Sequence, residues 1–217
     1  FQKYDVEYIL DYIDNTIEKW QLSKTNEEAY KSFRNYYNHT KNPLDLYVLM
    51  CYSFNYQFRF NGNHDYNNPF GRNRSSFNEV MRNNLILFKQ QIEDIHFSAC
   101  DFCDFDYGIL NTGDFIYADP PYLLTCGSYN DGKRGFRGWT EKDDFDLMRI
   151  LTELSDRGVN FALSNVIEHK GCTNDALIEW IADSGYTVHG INFNYNNCNY
   201  HTNNRENVTK EVLITNY

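Results

Sequence analysis

The stretch Asp114-Phe115-Ile116-Tyr117-Ala118-Asp119-Pro120-Pro121-Tyr122 decides the reading of this chain. Phe115 to Ala118 is a short apolar run, and the turn residues behind it predict a buried strand that stops at Asp119. Pro120 and Pro121 fix φ twice in succession and remove two backbone donors. The backbone there offers carbonyls but no N–H groups, which suits recognition of an amino group. A carboxylate at Asp119 accepts a hydrogen bond from the same group and draws its lone pair out of conjugation, so that the nitrogen can attack an electrophile. The Tyr122 ring supplies a stacking face for a flat heterocycle. Four residues alone leave a plainer role open, a strand that ends in a turn.

Outward from this stretch the pattern alternates between strand and helix. Residues 140–157 place Phe145, Leu147, Met148, Ile150, Leu151 and Leu154 at helical spacing, and 174–184 form a second helix. Val159 to Ser164, Tyr186 to Ile191 and Glu211 to Thr215 read as further strands, with a short one at Ile95 to Ser98. This alternation predicts an α/β fold with a mostly parallel sheet, in which ligands sit at the carboxyl ends of strands. Upstream, Val6, Ile9, Ile13, Ile17 and Trp20 mark an amphipathic helix over 5–20. Thr25 to Glu28 opens a second helix through about Tyr37, and Leu44 to Phe54 reads as a buried third. Tyr56 to Phe60 alternates like a strand, Asn61-Gly62-Asn63-His64 is turn chemistry, and Tyr66 to Gly71 returns, which predicts a hairpin or extended loop. Two regions are expected: a lobe of helices plus hairpin at 1–91, and an α/β region at 92–217.

The chain has 217 residues, with 41% hydrophobic and 23% charged, enough to bury a core. No apolar run is long enough to cross a membrane, and no signal peptide is in view. The net charge of −10 disfavours general nucleic-acid binding, yet Arg72, Arg74, Arg82 and Lys89 make 57–90 locally basic. A solvated face explains that stretch equally well. Aromatic residues make up 17% of the chain and about one residue in eight is Asn, which fits a biased coding composition or a stacking surface for bases. Six cysteines without a secretory signal point to free thiols, and the lone Cys100-x-x-Cys103 lacks the second ligand pair that a structural zinc needs, so no metal is expected. The chain opens at Phe1 rather than Met, which predicts a fragment or processed product.

In its linear order the chain resembles the DNA adenine methylase (Dam, or D12) class of adenine-N6 DNA methyltransferases. Asp114 to Tyr122 looks like the family's catalytic strand and loop. Cys100-Asp101-Phe102 looks like its cofactor-side element, Leu163-Ser164-Asn165 like the element after the next strand, and Arg205 with Glu211 to Ile214 like its closing strand. Arg59-Phe60-Asn61 with Tyr66 to Gly71 resembles the target-recognition hairpin. The resemblance implies a Rossmann-like S-adenosylmethionine-dependent sheet with a helical recognition lobe, acting on double-stranded DNA. It implies that Asp119 and the Pro120 carbonyl bind the target amino group, beside Pro121, and that Tyr122 stacks on an adenine flipped from the duplex. Asp101, Phe102 and Asp119 are implied at the cofactor, Asp101 by accepting from its adenine amino group. Arg59 would read a guanine and Pro69 touch a thymine methyl, which together point to GATC. Gln57 stands where family members often carry an apolar residue, so the first base of the site stays open. Asn61, Arg72 and Arg74 join the candidate DNA contacts. Lys133, Arg134 and Arg137 are candidates for phosphate, although a solvated loop remains the alternative.

One family feature has no counterpart here. The Gly-rich turn after the first strand and the acidic residue after the second do not occur before the helical lobe, and Phe1 looks like the residue just past strand two. The chain is therefore expected to lack about the first quarter of the family's domain. The expected function is site-specific adenine-N6 methylation by a monomer in the cytoplasm of a bacterial or phage-infected cell, with a cognate restriction endonuclease as partner. The other readings are a noncatalytic DNA-recognition fragment or decayed paralogue, and methylation of cytosine N4 or RNA adenine.

Overall fold

The computed structural model describes residues 1–125, 138–191 and 209–217. The chain folds as mixed α/β in two compact units, Phe1–Ser98 and Ala99–Tyr217.

The first unit is helical. It holds α1 (Val6–Trp20), α2 (Glu27–Thr40), α3 (Pro43–Cys51) and α4 (Glu79–Gln91). Its core joins Ile9 and Ile13 of α1 to Tyr30, Phe33 and Tyr37 of α2, and to Val48, Leu49 and Cys51 of α3. The Asn-rich composition finds a structural use here. Asn26, Asn42 and Asn78 each accept a backbone N–H from the first turn of α2, α3 and α4, a contact worth roughly 1 kcal/mol.

The α4 helix was not legible as a helix in the sequence. Met81, Leu85 and Phe88 fall at helical spacing, but only Leu85 is buried, with Met81 partly buried against the same core. Its basic residues are ion-paired: Arg82 with Asp14, and Lys89 with Glu93.

Between α3 and α4 the chain forms a long loop rather than a strand hairpin. Only the single bridges Ser53↔Phe70 and Phe60↔Tyr66 pair it. A 3₁₀ turn over Phe54–Tyr56, with positive φ at Asn55 and Tyr56, breaks the extended run. Side chains then satisfy backbone groups that a ladder would otherwise serve. Tyr66 Oη donates to the Gln57 carbonyl at 2.7 Å, and Asn68 Nδ2 donates to the carbonyls of Phe54 and Gln57 at 2.9 and 3.0 Å.

The second unit carries the sheet. Its strands are β1 (Phe115–Ala118), β2 (Asn160–His169), β3 (Cys172–Thr173), β4 (Thr187–Ile191) and β5 (Thr209–Thr215), in the order β1-β2-β5-β4 with β3 beside β2. The expectation of a mostly parallel sheet is corrected. Among the described residues only β1 and β2 run parallel, while β5 lies antiparallel to both β2 and β4. Alternation of strand and helix reports parallel crossovers, but β4 is followed by the Asn-rich run and not by a helical pattern, and β5 returns beside it. Ile95 to Ser98 pairs with no strand among the described residues. Ile95 and Phe97 are exposed there.

Helices α5 (Glu141–Asp156) and α6 (Asp175–Ser184) pack Leu147, Leu151 and Leu177 against Phe161 and Leu163 of β2 and Val212 and Ile214 of β5. Thr140 and Asp143 form a capping box at α5, and Asn174 caps α6. Since successive strand residues alternate in face, Ser164 and Glu211 lie on the side of the sheet away from these helices.

Candidate active site

The β1 register sets the site. Ala118 aligns with Leu163, so Asp119 leaves the sheet alongside Ser164 at the carboxyl end of the parallel pair. Ile116 and Ala118 pack into the core while Phe115 and Tyr117 stay exposed, and this alternation puts Asp119 on the Ser164 face. Pro120 and Pro121 follow without N–H donors. A short turn then closes, with Thr125 N–H donating to the Tyr122 carbonyl at 2.9 Å.

This turn carries Tyr122 across β2. Its hydroxyl lies 3.1 Å from Asp119 Oδ1, 3.0 Å from Ser164 Oγ and 3.2 Å from Glu211 Oε1. Glu211 aligns with Val166 across the β2–β5 pair, two residues beyond Ser164 and on the same face. Burial pushes the Tyr122 hydroxyl far above its ordinary range, the Ser164 hydrogen bond opposes this, and the Asp119 and Glu211 carboxylates add to it. The phenol is therefore held protonated and available as a donor. Two carboxylates at one point make a negative site, suited to an amino group or a cation and unsuited to phosphate.

Asp101 caps the 3₁₀ turn Phe102–Asp104 by accepting the Cys103 N–H at 3.0 Å, and its residue is exposed. Phe102 is half-buried against Ile116 and the core of this unit, with its ring 5.2 Å from that of Trp139. Trp139 is fixed in turn. Its Nε1 donates to Asp144 Oδ1 at 2.6 Å, and Asn174 Nδ2 donates to Asp144 Oδ2 at 2.7 Å. An exposed carboxylate beside an aromatic pair can take a flat base with an exocyclic amino group.

The first unit places the other candidates on the 53–71 loop and just beyond it. Arg59 is exposed, and its carbonyl accepts the Asn67 N–H at 2.9 Å. Gln57 and Pro69 are exposed as well, and their carbonyls tie the loop. Asn61 holds the turn, its Oδ1 accepting the N–H groups of Asn63 and Asp65, both at 2.9 Å. Arg72 pairs with Glu27, and Arg74 lies 6.0 Å from the Phe54 ring centre. From α2, Tyr30 Oη and Arg34 Nη1 both donate to the Asn68 carbonyl, at 2.8 and 3.1 Å. Lys133, Arg134, Arg137 and Arg205 lie outside the described residues.

Three residues at the site escaped assignment from sequence. Ser164 and Glu211 were visible as members of strands and of the family-like elements Leu163-Ser164-Asn165 and Glu211 to Ile214, without a role of their own, although a carboxylate inside an apolar strand is a signal in itself. Trp139, just before a helix cap, carried none. No group of three or more His, Cys, Asp or Glu among the described residues is placed to hold a metal ion. No helix among them is long and apolar enough to cross a membrane.

The chain is similar in sequence to known proteins. The chain is 49% identical over its whole length to the type II methyltransferase M.FokI of Planomicrobium okeanokoites, and covers 33% of that protein. It is 50% identical over 96% of its length to the modification methylase StsI of Streptococcus sanguinis, covering 32% of it. A DNA adenine methylase of Escherichia coli K12 is 24% identical over 64% of this chain and half of its own length. The chain thus spans about a third of the length of the first two relatives. The D12 class N6 adenine-specific DNA methyltransferase family matches residues 2–197, and with the carboxylate and tyrosine gathered at the end of β1 the chain belongs to that family.

Proposed function

We propose that this chain carries the catalytic centre of a site-specific DNA methyltransferase that moves a methyl group from S-adenosylmethionine to the N6 amino group of an adenine flipped out of the duplex. The observation that carries the reading is the convergence of Asp119 and Tyr122 at the carboxyl end of β1, behind two prolines that leave only carbonyls. The target amino group donates one N–H to the Asp119 carboxylate and the other to the Pro120 carbonyl. This pulls the nitrogen toward a geometry in which its lone pair is available. The Tyr122 ring stacks on the base, worth roughly 1–3 kcal/mol against an unstacking cost of a few kcal/mol.

The residues present fit the adenine end of the cofactor. Asp101 offers a carboxylate and Phe102, backed by Trp139, an aromatic wall. When bound, S-adenosylmethionine supplies an electrophilic methyl on a cationic sulfur, and the negative charge of Asp119 and Glu211 favours a cation nearby. The fold class that this reading entails is a Rossmann-like methyltransferase sheet, with the unit at 1–98 as the recognition lobe. Arg59 is the reader of a guanine and Pro69 the contact to a thymine methyl, which supports a site such as GATC. Arg74, Gln57 and Asn61 flank them on the loop or next to it, and Arg72 joins phosphate binding once its pair with Glu27 opens. The names of the relatives support a role in restriction-modification, alongside a cognate endonuclease.

The test is Asp119→Ala. It acts at the reacting centre, while duplex affinity comes mostly from phosphate contacts. Methyl transfer to an adenine-containing duplex should fall more than tenfold, a factor of roughly 1.4 kcal/mol, with anisotropy showing duplex binding nearly unchanged. A variant that keeps more than about a tenth of the wild-type rate overturns the assignment.

A further inference from the structure

The Tyr122 hydroxyl has one proton to give, and two carboxylates compete for it. A phenol donates one hydrogen bond and accepts up to two, while an ionised carboxylate only accepts. Ser164 Oγ, at 3.0 Å, is able to donate into a lone pair of the phenol. Asp119 Oδ1 at 3.1 Å and Glu211 Oε1 at 3.2 Å are the two acceptors, at nearly equal distance. A rotation about the C–O bond of Tyr122 transfers the proton from one to the other with no movement of the ring. The strong upward push on the phenol by burial, Asp119 and Glu211 keeps that proton in place for either partner.

The two positions are not equivalent for chemistry. An O–H donated to Asp119 drains the negative charge that the carboxylate needs in order to polarise an incoming amino group, and occupies one of its oxygens. An O–H donated to Glu211 leaves Asp119 free. We propose that Glu211 is a positioning residue of this enzyme: it draws the Tyr122 proton away from Asp119 as the target amino group arrives, with Ser164 holding the phenol oxygen at the pivot. This rests on the function proposed above. Its place in the fold supports it, since Glu211 stands on the central strand β5 opposite Val166, and its carboxylate reaches Tyr122 across 89 residues of chain.

The test is a cycle among Glu211→Leu, Glu211→Gln, Tyr122→Phe and the double variant Tyr122→Phe/Glu211→Leu. Single-turnover methylation and duplex affinity are read for each. Glu211→Leu should slow methyl transfer about tenfold or more with duplex affinity changed less than twofold, because the O–H is left on Asp119. Glu211→Gln keeps an acceptor oxygen at the same place and should recover most of the rate. The decisive arm is the double variant. Without the hydroxyl nothing occupies Asp119, so Tyr122→Phe/Glu211→Leu should be faster than Glu211→Leu alone. A Glu211→Leu protein that has merely lost its fold gains nothing from a second substitution, so rescue excludes that explanation. Additive losses in the double variant, or a wild-type rate in Glu211→Leu, overturn the inference while an inert Asp119→Ala leaves the proposed function standing. A wild-type protein that methylates no adenine removes both.

Discussion

Asn38 holds both sides of the Tyr66 peptide: its Nδ2 donates to the Tyr66 carbonyl at 3.1 Å and its Oδ1 accepts the Tyr66 N–H at 2.8 Å. Tyr66 is itself buried, and its hydroxyl fastens Gln57 on the facing arm of the loop. One amide on α2 thus anchors the loop that presents Arg59.

Asn38→Ala leaves a buried donor and acceptor unserved and should cost about 1–3 kcal/mol in urea unfolding. Amide exchange at Tyr66 should accelerate together with it. Asn38→Asp should recover little, since a carboxylate still accepts the N–H but meets the Tyr66 carbonyl oxygen with no proton between them. Full recovery in the Asp variant would show that one of the two bonds is dispensable.

Arg59→Ala should relax discrimination at a single base pair. A lost bidentate contact to guanine costs about 1–3 kcal/mol at that position and little elsewhere. Methylation of a panel of duplexes, each with one substituted base pair, reads this directly. A uniform loss across the panel would make Arg59 a phosphate contact.

Gly71→Ala should destabilise the first unit by roughly 1–3 kcal/mol. A Cβ there would stand 2.7 Å from the Ser53 carbonyl oxygen and 2.5 Å from Ser75 Cβ. The Gly71 N–H donates to the Tyr52 carbonyl, so the backbone is not free to back away. Thermal unfolding of the variant gives the number, and an unchanged midpoint would mean that the loop end is softer than its packing implies.

Cys51 should resist thiol reagents until the protein unfolds. Burial pushes its thiol up to about 12, against the lowering effect of a hydrogen bond from Tyr47, so the reactive thiolate is scarce at neutral and mildly alkaline pH. Cys100 and Cys172 are exposed and should be modified first. Mass mapping after brief alkylation at pH 8, with and without denaturant, distinguishes them, and early labelling of Cys51 in the native protein would contradict its burial.

What the sequence disclosed was local. α1 and α5 followed from apolar spacing, α2 from its cap at Thr25 to Glu28, α3 from the apolar run after Pro43, and β1 with its Asp-Pro-Pro-Tyr exit from one short run. The α4 helix stayed hidden because it lies in a polar, Asn- and Arg-containing stretch that buries only Leu85 fully and Met81 in part. The segment 56–71 read as a hairpin or extended loop because alternation was present, while the side chains of Tyr66 and Asn68 that replace the ladder act over 9 to 14 residues and leave no periodic trace. At the site, Asp119 and Tyr122 were legible as a motif. Ser164 and Glu211 join them only through sheet register, over separations of 42 and 89 residues, which no local pattern reports. The Arg72 and Arg82 charges were visible, but their partners Glu27 and Asp14 were not.

The position of β5 between β2 and β4 has a consequence for the newborn chain. Helices α1 to α4 pack among themselves and can mature as soon as they clear the ribosome. The sheet cannot, because its central strand is made after all its neighbours. At about 5–20 residues per second, roughly 5 to 20 s pass between the synthesis of Tyr122 and that of Glu211. Through that interval β2 and β4 wait with open edges, and the tyrosine has yet to meet its distal carboxylate. Translation therefore delivers the helical unit before the Tyr122–Glu211 contact can form, and the open strand edges of that interval belong to the second unit.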